Sequence, residues 1–90
     1  MNQEKIGIFL KDLRKEKEMT QEQLAEKMNV NSRTISRWEN AKTMPDFDIL
    51  IELAKLYDVS IEEILNGASF GNDGFLNKKT VYKMSEYNDR

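Results

Sequence analysis

Residues 20–40 read TQEQLAEKMNVNSRTISRWEN, and this stretch decides the fold of the 90-residue chain. Thr20 stands three residues before Gln23, the spacing of a capping box, in which each side chain satisfies a free backbone N–H at a helix start. The pattern predicts a short helix, Gln21–Met28. Asn29 should end it, because asparagine is among the few non-glycine residues that tolerate the left-handed backbone of a sharp turn.

A second short helix is expected after this turn. Asn31 or Ser32 can cap it, and its pattern continues to about Asn40. Ile35 and Trp38 are three residues apart and share the inner face, which favours a core role for Trp38 over a stacking platform for a base. The opposite face is polar and holds no acid; its members are Ser32, Arg33, Ser36 and Arg37.

Two short helices joined by so brief a turn match the geometry of a DNA-reading helix-turn-helix, whose second helix lies in the major groove. Such helices must approach closely, and Ala25 is a small residue that faces the turn. The apolar residues expected on the facing sides are Leu24, Met28, Val30, Ile35 and Trp38.

The segment before this motif predicts one longer helix, from about residue 3 to about residue 17. Its apolar residues follow the i, i+3, i+4, i+7 spacing of a single buried face: Ile6, Phe9, Leu10 and Leu13. Gly7 and Ile8 fall off that face.

Two further helices are predicted after the motif. Asp46 is expected to cap a fourth helix, and Ser60 with Glu63 repeats the capping box to open a short fifth helix. Gly67 should end it. The residues expected to face inward are Leu50, Leu53, Ala54 and Tyr57 on the fourth helix and Ile61, Ile64 and Leu65 on the fifth. Because no segment alternates with a period of two over a convincing length, the predicted fold class is all-α.

The composition of the chain changes once, near Gly67. Residues 68–90 are richer in glycine and asparagine than the segment before them and carry scattered aromatic residues. Because 90 residues suffice for one small domain, we predict a folded domain at residues 1–67 and a less ordered tail or linker at residues 68–90. The tail could aid dimerisation or lead into a further domain.

The composition also excludes several classes of protein. The chain has no cysteine and no histidine, so it lacks a thiol nucleophile, an imidazole base, disulfides and the usual zinc ligands. It has no glycine-rich phosphate loop. We therefore expect no enzyme, no metal and no cofactor. The longest apolar run, residues 6–10, is far too short to cross a membrane and lacks the layout of a signal peptide, so we expect a cytoplasmic protein.

Three stretches carry a family resemblance: LRKEK at residues 13–17, TQEQLAEKM at 20–28 and TISRWEN at 34–40. They resemble the phage repressor and Cro type of helix-turn-helix, the large bacterial family of xenobiotic-response-element-like regulators. The continuation, through Pro45 to ILNG at residues 64–67, is similar to the rest of that domain. The resemblance implies a compact five-helix, lambda-repressor-like DNA-binding domain. It also implies a transcriptional regulator, a repressor, that binds a palindromic double-stranded operator as a homodimer.

The resemblance also implies the roles of individual residues. Those that match base-contacting positions are Ser32, Arg33, Ser36 and Arg37. Those that match DNA-backbone contacts are Gln21, Asn31, Thr34, Asn40, Lys42 and Thr43. Arg14 and Glu39 match a structural ion pair that bridges the first and third helices.

Two positions depart from the family pattern, which commonly has glycine there. Asn29, in the turn, tolerates the backbone conformation that glycine would adopt. Ala41, after the third helix, predicts a slightly different exit from that helix.

The net charge of -2 argues at first against a nucleic-acid partner. Its distribution weakens that argument, because residues 1–45 carry nine basic and seven acidic residues, whereas residues 46–67 carry one basic and six acidic residues. The first segment is therefore net positive and the second strongly negative. Since the positive excess is modest, tight binding should need dimerisation and correct base contacts.

A function of another class stays open. An antitoxin-like or other protein-interaction module would bind a partner protein through residues 68–90, with DNA binding secondary. The tail holds more apolar and aromatic residues than a solvating linker needs: Phe70, Phe75, Leu76, Val81, Tyr82, Met84 and Tyr87.

Overall fold

The computed structural model describes residues 2–69, which form five α-helices and no strand. The helices are α1 (Gln3–Glu16), α2 (Gln21–Met28), α3 (Ser32–Glu39), α4 (Phe47–Tyr57) and α5 (Ile61–Asn66). The predicted all-α, five-helix architecture is confirmed. Most of the predicted tail, residues 70–90, lies outside the described residues.

Every helix begins at a polar side chain that accepts a hydrogen bond from a free backbone N–H. The five capping residues are Asn2, Thr20, Asn31, Asp46 and Ser60. Both predicted capping boxes are present, one at the start of α2 and one at the start of α5. Because losing such a cap typically costs about 1 kcal/mol, these local contacts fix where each helix starts.

Each of the four connections between the helices contains a left-handed residue other than glycine: Glu18, Asn29, Ala41 and Asp58. Asn29 ends α2 with φ 60°, as predicted. Ala41, after α3, has φ 61°. The chain therefore leaves α3 through a left-handed alanine, a conformation that costs an alanine about 1–2 kcal/mol. The expected difference from the exit in relatives with glycine stays a prediction.

One apolar core joins the helices. α1 packs against α3 and α5, α2 packs against α3, and α4 packs against α5. Ile6, Ile35 and Ile64 are fully buried at its centre. Trp38 is only 6% exposed, which confirms its core role. Gly7 is buried as well, although it falls off the apolar face of α1.

The other residues that were predicted to face inward lie in this core or at the margin of it. Leu50, Leu53, Ala54 and Tyr57 are buried on α4, while Phe9, Ile61 and Leu65 are half-buried at its margin. Among residues 2–69, none of the helices combines the length and apolarity needed to cross a bilayer.

Candidate nucleic-acid interface

α2 and α3 are joined by a tight turn at residues 29–31. The N–H of Val30 donates to the Ala25 carbonyl oxygen at 3.0 Å, and that of Asn29 donates to the Glu26 carbonyl oxygen at 3.3 Å. Ala25 itself is buried, so a small side chain lies where the two helices come together. The turn therefore holds α3 at a fixed angle to α2.

α3 has two chemically different faces. Ile35, Trp38 and Glu39 are buried against the rest of the domain. Arg33 and Arg37, one helical turn apart, are exposed on the opposite side. Within residues 2–69 neither guanidinium forms an ion pair. The exposed face thus presents two positive charges with no acid to neutralise them.

The start of α3 is held by one side chain. The Asn31 Oδ1 atom accepts hydrogen bonds from the Thr34 backbone N–H at 2.9 Å and from the Thr34 hydroxyl at 3.0 Å. Both residues match predicted DNA-backbone positions. In the structure they share this cap, which leaves them together at the amino-terminal end of the exposed face.

The end of α3 folds back on its own last turn. Asn40 Nδ2 donates to the Ser36 carbonyl oxygen at 2.9 Å and to Ser36 Oγ at 3.2 Å. The backbone N–H groups of Lys42 and Thr43 both donate to the Arg37 carbonyl oxygen, at 2.8 and 3.4 Å. Predicted base-contact and backbone-contact residues are thus brought to one end of α3.

Behind this face lies a polar cluster, which we call the Arg14 cluster: the buried Arg14 and Glu39 and the half-buried Met19 and Gln21. Arg14 Nε donates to Glu39 Oε2 at 2.7 Å and Arg14 Nη2 donates to Glu39 Oε1 at 3.0 Å. Arg14 Nη1 reaches the Met19 carbonyl oxygen at 2.7 Å, and Gln21 Nε2 donates to Glu39 Oε1 at 3.0 Å. One carboxylate therefore connects α1, the first residue of α2 and the last residue of α3.

The Arg14 cluster is shielded from solvent. The side chains of Arg14 and Glu39 are 9% and 3% exposed. The hydrogen bond to Glu39 raises the pKa of Arg14, which outweighs the opposite effect of burial. The guanidinium therefore stays charged, and removing either partner would strand the other in a site with little water.

Gln21 is the predicted site residue whose surroundings the sequence did not anticipate. It matches a position that contacts the DNA backbone, yet its side-chain amide nitrogen is committed to Glu39. Local spacing offers no signal for this contact, because the two residues are 18 positions apart. Gln21 thereby links the start of α2 to the end of α3.

Between residues 2 and 69 no group of three or more acidic, histidine or cysteine side chains is arranged to hold a metal ion.

The family model described as helix-turn-helix matches residues 10–64. The chain is 43% identical over 58 residues to the HTH-type transcriptional activator BcrR of Enterococcus faecalis, covering 64% of this chain and 28% of that protein.

Two relatives from Bacillus subtilis match over longer stretches. The HTH-type transcriptional regulator ImmR is 35% identical over 78 residues, covering 84% of this chain and 61% of ImmR. The uncharacterized HTH-type transcriptional regulator YobD is 36% identical over 80 residues, covering 89% of this chain and 70% of YobD. No solved structure gives a significant match. The chain thus spans less than two thirds of BcrR and of ImmR.

Proposed function

The chain belongs to the helix-turn-helix family of xenobiotic-response-element-like transcriptional regulators, and we propose that it binds double-stranded DNA with α3 in the major groove. The observation that carries this proposal is the exposed face of α3. Arg33 and Arg37 lie one turn apart there, without an ion-pair partner among residues 2–69, while the opposite face is buried. An unpaired cationic face on an anchored helix suits a polyanion.

Base recognition falls to Ser32, Arg33, Ser36 and Arg37. An arginine can donate two parallel hydrogen bonds to O6 and N7 of guanine, and such a pair discriminates against the wrong base by about 1–3 kcal/mol. The serine hydroxyls are short donors and acceptors, so they complement the two long side chains. We therefore expect the strongest base preference where Arg33 and Arg37 reach the groove.

The DNA backbone is held at both ends of α3. The residues assigned to it are Gln21, Asn31, Thr34, Asn40, Lys42 and Thr43. Lys42 supplies a positive charge beside the exit of α3, and the first turn of α2 offers free N–H groups to phosphate. These contacts fix the register of α3 in the groove without reading sequence.

We further propose that the protein acts as a homodimer on a palindromic operator and represses transcription. The modest positive charge of the DNA-facing segment favours two copies over one, because each copy alone neutralises few phosphates. Half-site centres would then lie about 10 bp apart. Occupying a promoter suffices for repression, whereas activation needs a further contact with the transcription machinery. Such a role also requires the cytoplasm, where a bacterial chromosome lies.

The decisive experiment is selection of binding sites from random duplexes, followed by titration of variants on the selected site. Arg33→Ala and Arg37→Ala should each relax base choice at one position of each half-site. Lys42→Ala should weaken all sequences alike and reduce the slope of log affinity against log salt by about 1. Lys55→Ala, which removes an exposed lysine on α4, is the matched control.

Two outcomes would contradict the proposal. If the Arg33→Ala, Arg37→Ala double variant binds the selected site as well as the wild type does, α3 does not read bases. If selection yields no palindrome and the protein sediments as a monomer on the site, the homodimer proposal fails. A partner protein whose capture is lost on deletion of residues 70–90 would favour the interaction module instead.

A further inference from the structure

Gly7 lies where α1 touches the end of α3 more closely than any side chain would permit. A Cβ atom at this position would lie 2.6 Å from the Glu39 carbonyl oxygen and 2.8 Å from the Trp38 carbonyl oxygen. Both obstacles are backbone atoms, so no side-chain rotation could relieve the clash. The helices can keep this separation only with glycine at position 7.

Other groups of α1 lie along the same end of α3. Gln3 Nε2 is 3.5 Å from the Ala41 carbonyl oxygen, a long contact with the first residue after α3's cap. Glu4 and Ile8 line a shallow cleft whose other wall is residues 39–41. The amino-terminal half of α1, residues 3–8, therefore borders the exit of α3.

The position of this exit decides where the next residues lie. The N–H groups of Lys42 and Thr43 are both tied to the Arg37 carbonyl oxygen, so the loop moves with the last turn of α3. Arg14, which lies seven residues further along α1 than Gly7, also holds the last residue of this turn through its ion pair with Glu39. A displacement of the last turn by α1 would therefore carry Lys42 and Thr43 with it.

We infer that Gly7 is a positioning residue for the DNA-backbone contacts: by letting α1 reach the carbonyls of Trp38 and Glu39, it sets where Lys42 and Thr43 meet a phosphate. The inference rests on the proposed function, since it assigns Gly7 a role in the same interface. Gly7 itself touches no DNA.

The substitution Gly7→Ala should lower the stability of the domain, whereas the same substitution at an ordinary helical glycine raises it. Alanine is a better helix former than glycine, so Gly7→Ala at an unobstructed helix position would raise the melting temperature. Here the added methyl group must push α1 away from α3. We expect the melting temperature to fall by several degrees.

Spectroscopy on the free protein localises the effect. Trp38 is the single tryptophan, so its fluorescence reports directly on the contact. In Gly7→Ala we expect a shifted Trp38 emission, together with changed amide resonances at residues 38–43. The resonances of α4 should change much less, whereas those of α5, which packs against α1, should report the same displacement. A matched control is Val59→Ala, which removes buried volume at a residue after α4 and changes no residue of α1 or α3.

DNA binding is then measured at a temperature at which both variants are fully folded. Gly7→Ala should bind the selected operator about tenfold more weakly, the equivalent of one lost charge-assisted contact, with base preferences unchanged. Val59→Ala should bind like the wild type. The loss of affinity caused by Lys42→Ala should be smaller in the Gly7→Ala protein than in the wild type, because the two changes act on the same contact.

The inference is overturned if Gly7→Ala binds the operator as tightly as the wild type does and its effect adds to that of Lys42→Ala. A raised melting temperature in Gly7→Ala would overturn it as well. If the wild type itself selects no DNA, the proposed function fails, while the fluorescence and resonance shifts still decide whether Gly7 places the loop. If Gly7→Ala does not fold, Gln3→Ala replaces it. In that variant the resonances of residues 41–43 should shift and the operator affinity should fall about twofold. Unchanged resonances and an unchanged operator affinity would refute the positioning role.

Discussion

The two parts of the domain are stabilised in different ways. Residues 2–45, with α1, α2 and α3, contain the Arg14 cluster, a left-handed alanine and an exposed cationic face. Residues 46–69, with α4 and α5, hold a mainly apolar interior, with the buried Glu63 in the capping box of α5, beneath an acidic surface. The buried ion pair and the left-handed alanine thus lie in the part that we propose contacts DNA.

This difference teaches where geometry matters most. Apolar packing tolerates small shifts, because the hydrophobic effect is not directional. A bidentate ion pair tolerates only very small shifts, because its two hydrogen bonds require a fixed orientation of the guanidinium and the carboxylate. The Arg14 cluster therefore holds the angle of α3, while α4 and α5 supply buried area.

The largest expected effect comes from breaking the Arg14 cluster. Glu39→Ala leaves the Arg14 guanidinium buried without its partner, and we expect a loss of about 3–5 kcal/mol in the free energy of unfolding. Urea denaturation measures it, with Glu52→Ala on the exposed side of α4 as the control. A loss in Glu39→Ala no larger than in the control would show that the cluster adds no stability.

Removing core volume from the other part should cost somewhat less. Leu53, on α4, is 1% exposed, and Leu53→Ala should destabilise the domain by about 3 kcal/mol. Because Leu53 lies far from the exposed face of α3 in the chain and packs in the core, operator affinity at a temperature where the variant is folded should not change. An affinity loss beyond threefold, on the order of 0.6 kcal/mol, would mean that the two parts are coupled.

The left-handed residue after α3 should respond in the opposite direction. Ala41→Gly relieves the backbone strain at φ 61°, so thermal and urea unfolding should show a gain of about 1 kcal/mol. The same substitution in a right-handed helical residue, Ala54→Gly on α4, should cost about 1 kcal/mol or more. Changes of the same sign in both variants would contradict the strain at Ala41.

The smallest effect is expected at Tyr57, at the border of the two parts. Its buried hydroxyl has no hydrogen-bond partner among residues 2–69, so Tyr57→Phe should change stability at pH 7 by no more than about 0.5 kcal/mol.

The pH dependence of Tyr57→Phe supplies the sharper test. Burial raises the pKa of Tyr57 above its ordinary value of 10.0. The folded state thus keeps a proton that the unfolded state releases, and this contribution is constant below pH 10 and declines as the pH rises further. The stability of the wild type should therefore fall more steeply above pH 10 than that of Tyr57→Phe, and parallel curves would contradict the raised pKa.

Much of the fold could be predicted because its signals are local. Thr20 with Gln23, and Ser60 with Glu63, form their capping boxes within one helical turn. Asn29 adopts the left-handed turn that its side chain permits. No local signal indicated the conformation of Ala41, because the tertiary structure holds this alanine in a left-handed conformation that its own preference opposes.

The candidate site divides along the same line. The exposed face of α3 follows from helical periodicity, since the residues opposite Ile35 and Trp38 must face outward. The hydrogen bond from Gln21 to Glu39 could not be foreseen, because no periodic pattern relates them. Nor could the burial of Gly7, which falls off the apolar face of its own helix.

The sequence by itself determined the five helices, their starts and their buried faces, because capping and periodicity act between residues at most four positions apart. Only the tertiary structure decided how α1 meets α3, and with it the places of Gly7, Gln21 and the loop after α3. Those contacts join segments far apart in the chain. Their geometry exists only once the helices have packed, and no local pattern encodes it.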